Sequence, residues 1–132
     1  MTFLLIILVV HMIGLQYLWY HKLGWVNVVM HTVGGLWVAA VAVYLRGRYA
    51  PQSQGTMPWW LVIVYIVGAT MIVGVAWEWG EYLLDMFFSP RGFKFRLQLG
   101  LGDTMGDLLS DFCGGLLFAL YATYGEHKRK YV

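Results

Sequence analysis

Seven residues of the chain are acidic, and six of them fall into two short runs: Glu78, Glu81 and Asp85, then Asp103, Asp107 and Asp111. A helix turns about 100° per residue, so spacings of i, i+3, i+7 and of i, i+4, i+8 each place three carboxylates on one face. Helix bundles hold divalent ions with carboxylates at such spacings and one or two histidines. Stripes of like charge that face each other repel unless protons or cations lie between them. The chemistry on offer is therefore metal binding or proton handling, with Glu78 and Asp107 the candidate catalytic carboxylates.

The setting for these acids is apolar. Of 132 residues, 60% are hydrophobic and 12% are charged, whereas soluble domains carry roughly 25% charged residues. A small soluble domain leaves too much of its surface wet to hide so much apolar area. The same composition excludes a disordered chain, and a single cysteine, Cys113, excludes a disulfide scaffold. A net charge of +2, with the basic residues scattered among short polar breaks, gives no ground for nucleic-acid binding. Residues 1–132 are expected to form one integral membrane domain.

About 20 apolar residues are needed to cross the hydrocarbon core. Four stretches answer, at about 2–20, 25–45, 58–84 and 103–124, and their long unbroken apolar runs favour helices over strands. The expected fold is an all-α membrane protein, a four-transmembrane-helix antiparallel bundle. The first stretch has no basic leader and no small-residue cleavage site, so it is read as a mature helix rather than a secretion signal. Pro58 suits the first turn of the third helix, and Ser89-Pro90 ends it. Phe93 to Leu99 alternates apolar and polar residues, which predicts an interfacial amphipathic loop or hairpin between helices 3 and 4, or a short amphipathic helix. Arg46, Arg48, Lys128, Arg129 and Lys130 share the face of the termini, against Lys22, Arg91, Lys94 and Arg96 opposite. That excess of one leans toward cytoplasmic termini.

Depth along the helices then gathers the polar residues. Counted from the helix ends, His31, His11, Glu78, Asp107 and Asp111 overlap in one half of the membrane. The expected metal ligands are His31, Glu78, Glu81, Asp107, Asp111 and His11. Oxygen-rich sites suit Mg or Mn, and histidine draws selection toward Fe or Zn. Asn27, one turn before His31, with Asp85 and Asp103, stands at the periphery. Plainer readings compete at several positions. His11 could simply hydrogen-bond a neighbouring helix, Asp103 could cap helix 4, and Asp85 could sit solvated among headgroups. Gly34-Gly35 could serve close packing alone. Arg91, Lys94 and Arg96, beside the acids, are placed to bind an anionic lipid headgroup.

Trp77-Glu-Trp-Gly-Glu81-Tyr-Leu-Leu-Asp85 and Gly102-Asp-Thr-Met-Gly-Asp107-Leu-Leu-Ser-Asp111-Phe-Cys-Gly-Gly115 together resemble the YjdF-like family of small bacterial membrane proteins, and more distantly the VanZ-like group. In that resemblance a Glu-x-x-Glu pair ends one helix, and an Asp-rich segment running into glycine opens the next. Glu78, Glu81, Asp107 and Asp111 match its acidic positions. The likeness implies a helical protein of the bacterial inner membrane with an acidic site, and it implies no particular reaction.

Three functions compete at this level. The first is a metal-dependent hydrolase or transferase, or a binding protein, for an anionic lipid or isoprenoid phosphate. The second is a proton or cation transporter using the same acids. The third is a structural membrane protein whose glycine faces pack a homo-oligomer. Haem ligation by His11 and His31 would leave the six acids unexplained.

Overall fold

The computed structural model describes residues 2–88 and 96–129, and no strand occurs among them. Five helices follow in order: α1 (Thr2–Gln16), α2 (Trp19–Lys22), α3 (Gly24–Tyr49), α4 (Trp59–Phe88) and α5 (Leu101–Arg129). A single 3₁₀ turn, Pro51–Ser53, begins the link from α3 to α4. Three of the helices, α3, α4 and α5, are long and apolar enough to cross a membrane.

The first expected span is the one that differs. It stops at Gln16 after 15 residues, a rise of about 22 Å, against the ~30 Å of a hydrocarbon core. The chain breaks there because Leu18 takes a left-handed conformation, with φ 60° and ψ 35°, which helical propagation does not permit. The break folds Tyr20 back onto Gly14, where a Cβ would stand 3.0 Å from the tyrosine ring. The other three helices run further than the spans read from hydropathy, each extending its polar end by a turn or so. Of the interfacial segment, residues 96–100 form a connection with no regular structure, and Phe93 to Phe95 lie outside the described residues.

Cross-helix contacts fix the directions. Asn27 of α3 meets Asp103 and Asp107 of α5, and Arg46 of α3 meets Glu126 of α5, so these two helices run the same way. Tyr65 of α4 reaches the Ala42 carbonyl of α3, while Glu78 meets the connection that precedes α5, so α4 runs against both. Small residues set the separation. A Cβ on Gly35 would lie 2.5 Å from the backbone oxygen of Asp111, and one on Gly115 would lie 2.8 Å from Thr70 Oγ1. Such close approach is how helices gain contact in a solvent as apolar as their own side chains.

The interior is unusual for its polarity. Val26, Ala39, Ala42, Val62, Ile66 and Ala119 are buried, but so are Arg46, Thr70, Glu78, Asp107, Ser110 and Asp111. Thr70 and Ser110 satisfy themselves on carbonyls one turn back, at 3.0 and 2.8 Å. Large apolar side chains such as Trp25, Val64, Ile72 and Leu117 face outward instead, the arrangement that lipid as solvent requires. Ala39, Val62, Ile66 and Ala119 form a tight apolar plug between the acidic cluster and the Arg46–Glu126 pair.

The helix contacts predict a contrast between two glycines. Gly114 packs directly on the backbone of α3 around Thr32, whereas a Cβ on Gly68 meets nothing within 4 Å. Gly114→Ala should lower the thermal midpoint in detergent, at a cost of about 1–3 kcal/mol from overpacking. Gly68→Ala should be neutral or stabilising by up to about 1 kcal/mol through helix propensity. Equal midpoints for the two variants would contradict the α3–α5 interface.

Candidate metal centre

Glu78 and Asp107 are 4% and 2% exposed, too deep for water to satisfy them. Each has one carboxylate oxygen tied to a neighbour. Asn27 donates its amide to Asp107 Oδ1 at 2.7 Å and to Asp103 Oδ1 at 3.2 Å. Gln98 donates its amide to Glu78 Oε2 at 3.2 Å and to Thr104 Oγ1 at 2.8 Å. The other oxygens, Asp107 Oδ2 and Glu78 Oε1, are buried and make no hydrogen bond. Unmet acceptors of this kind are rare in folded interiors and call for a specific explanation.

His31 completes the group. Its Nδ1 donates to Asp111 Oδ2 at 3.3 Å, which turns Nε2 toward Asp107 Oδ2, 3.7 Å away. One ligand atom each from His31, Glu78 and Asp107 lies within 4.8 Å of the others. Ligands bound at 2.0–2.2 Å to one ion lie no more than about 4.4 Å apart. Ligands at tetrahedral angles lie about 3.4 Å apart, so side-chain adjustments of up to about 1 Å would bring all three to bonding distance. Asp111, 6% exposed, has its own place because glycines vacate it. A Cβ on Gly74 of α4 would stand 2.5 Å from Asp111 Oδ2.

The connection before α5 is built to deliver Gln98. Asp85, at the end of α4, accepts the backbone N–H groups of Leu97 and Gln98 at 2.9 and 3.0 Å. Gly100 makes the turn into α5 with φ +128°, a conformation open to glycine. Asp103 lies inside the first turn of α5 rather than ahead of it, and reaches back to accept the Leu99 N–H at 3.2 Å. Both peripheral acids thus hold backbone in place.

The remaining candidates fall outside the three-residue group. Glu81 Oε1 accepts from Trp77 Nε1 at 2.9 Å. His11 accepts the Tyr20 hydroxyl on Nδ1 at 2.8 Å and packs its ring edge-on to Trp77, 5.3 Å between centroids. Burial, with Glu81 nearby, pushes the Tyr20 phenol up to about 12, so it serves as a neutral donor. Arg96 is exposed and borders a water-sized cleft with His11, Glu81 and Asp103; Arg91 and Lys94 lie outside the described residues. Gln98 and Thr104 have roles that spacing did not single out. The one available signal was that Gln98 is a polar position of the alternating segment immediately ahead of the acidic helix.

If Gln98 holds Glu78 as described, Gln98→Leu strands Glu78 Oε2 as well as Oε1. The variant should lose about 1–3 kcal/mol of stability, read as a lower thermal midpoint in detergent, and Gln98→Glu should not restore it. An unchanged midpoint in Gln98→Leu would show that the link does not form.

No curated protein matches the chain, and no solved structure does. A family described as Predicted membrane protein (DUF2238) matches residues 1–128, nearly the whole length. With three helices able to cross a bilayer and an interior lined with carboxylates, the chain belongs to that membrane-protein family.

Proposed function

We propose that His31, Glu78 and Asp107 bind a divalent cation within one half of the bilayer, and that the ion serves to bind or transform an anionic lipid phosphate. The observation that carries this reading is the pairing at each residue. One polar atom is fixed by a neighbour (Asp111, Asn27 or Gln98), the second oxygens of Glu78 and Asp107 are buried without a hydrogen bond, and one donor atom from each residue lies within 4.8 Å of the others. Metal sites use such outer hydrogen bonds to set the tautomer of a histidine and the aim of a carboxylate. Asp111 then orients His31 rather than ligating, Glu81 and His11 line the approach, and Arg96 is the cation nearest an incoming headgroup. One imidazole among carboxylates suits Mn, Fe or Zn better than Mg.

When bound, the ion would polarise a phosphate oxygen, and a carboxylate of the cluster would take a proton from the attacking group. Transport of protons or cations by the same acids is disfavoured by the plug of Ala39, Val62, Ile66 and Ala119, which fills the core beyond the cluster. On this reading α1 completes a four-helix antiparallel bundle, in a bacterial inner membrane with cytoplasmic termini. The likeness of residues 77–115 to YjdF-like and VanZ-like proteins extends only to a helical membrane protein with an acidic site.

Metal content measured by mass spectrometry on detergent-purified protein, supplemented with each candidate ion, tests the assignment. Wild type should carry stoichiometric metal, and Glu78→Gln and Asp107→Asn should each lose it while keeping their helical circular dichroism. Asp111→Asn should weaken binding by about 10- to 100-fold without abolishing it. Metal retained in both ligand variants, or none in wild type, would overturn the site.

A further inference from the structure

The cluster meets an open cavity at His31, while Glu78 and Asp107 lie buried behind it. A cavity of about 280 Å³ lies between α1, α3 and α4, bordered by Tyr20, His31 and Asp111 and by Leu4, Ile7 and Val38. Along α3 it extends from Asn27 to Val38, about 16 Å of helix, so its polar border lies at the cluster and its apolar border lies deep in the membrane. The cavity exists because α1 stands off from α4, and the two meet through the His11 and Trp77 rings rather than along their backbones. An apolar cavity of roughly 150 Å³ accepts a benzene ring, so this one has room for about a dozen carbons, and the end of a longer chain would run out into the bilayer through the open side. That is one hydrocarbon chain and not two.

We propose that this groove holds the single chain of a lipid monophosphate, entering sideways from the bilayer between α1 and α4 with its phosphate at the cluster. The inference rests on the metal reading above, because Asp111, Glu81 and the other acids would repel a phosphate unless an ion were held between them. It adds the substrate class: an amphiphile with one chain and a terminal phosphate. Gly34 decides the fit. It borders the groove, and a Cβ there meets nothing within 4 Å, so a larger side chain projects into the space the chain would occupy.

Farnesyl phosphate is the probe, titrated into metal-loaded protein in detergent, with farnesol and inorganic phosphate as comparison ligands. Metal content is measured on the same samples. Wild type should bind farnesyl phosphate more tightly than either comparison ligand. Gly34→Leu should weaken that binding by on the order of tenfold or more with its metal intact. Gly68→Leu, an equally open glycine on α4 that does not border the groove, should match wild type. Val38→Trp provides a second block should Gly34→Leu fail to fold. Full affinity in a folded blocking variant overturns the groove, and so does farnesol binding as well as its phosphate or a metal-loaded wild type that binds none of the three. Wild type without metal signals failure of the underlying reading instead. Farnesyl phosphate binding that persists there and is still lost in Gly34→Leu supports the groove alone.

Discussion

Three carboxylates and one imidazole, from Glu78, Asp107, Asp111 and His31, are packed between helices, the carboxylates buried and the imidazole nearly so. A single histidine cannot balance three carboxylates, and charge left unbalanced at membrane depth is costly. The rest of the molecule can be understood as the means of holding these groups in spite of that cost. Small residues bring α3 and α5 into backbone contact, amides from Asn27 and Gln98 each occupy one oxygen, and Asp85 clamps the chain that carries Gln98. What these donors leave unmet is directional. Glu78 Oε1 and Asp107 Oδ2 keep no hydrogen bond, Asp107 Oδ2 stands 3.7 Å from His31 Nε2, and one donor atom each of His31, Glu78 and Asp107 lies within 4.8 Å of the others.

The two ends of the three long helices are handled differently. At one end lies the acidic cluster, and toward the other Arg46 is buried against Glu126. Between them sits a purely apolar layer built on Ile66 and Val62. A buried ion pair contributes little net stability but penalises any arrangement that separates its members. Arg46 with Glu126 therefore fixes the register of α3 against α5, and with it the height of Asn27 and His31 relative to Asp107 and Asp111.

Much of this arrangement was legible in the sequence because periodicity and depth are local properties. The i, i+4 spacing of Asp103, Asp107 and Asp111 puts them on one face, and the distance of His31 from its helix end brings it to the depth of Asp107 and Asp111. The break at Leu18 was not legible. A leucine in the left-handed region has no local signature, and it is held there by the packing of Tyr20 on Gly14 and His11. Hydropathy extended the first helix through it for that reason. Nor could spacing pair Arg46 with Glu126, since residues 80 apart in sequence meet only once two helices have been set parallel. Gln98 is a similar case, because its value lies in what Asp85 does to the backbone beside it.

The seat of Asp111 has a consequence for how this sequence can change. Its backbone fills the space left by Gly35 on α3, and its carboxylate fills the space left by Gly74 on α4. Gly74 is thus bound to the size of a side chain on another helix, and Gly35 to the path of that helix's backbone. The three positions are coupled: a methyl group at 35 becomes admissible only after the backbone of α5 has moved, and one at 74 only after α5 has moved or residue 111 has shrunk. Enlargement at 35 or 74 is barred by α5, so the space that seats the carboxylate orienting His31 is held open from two helices at once.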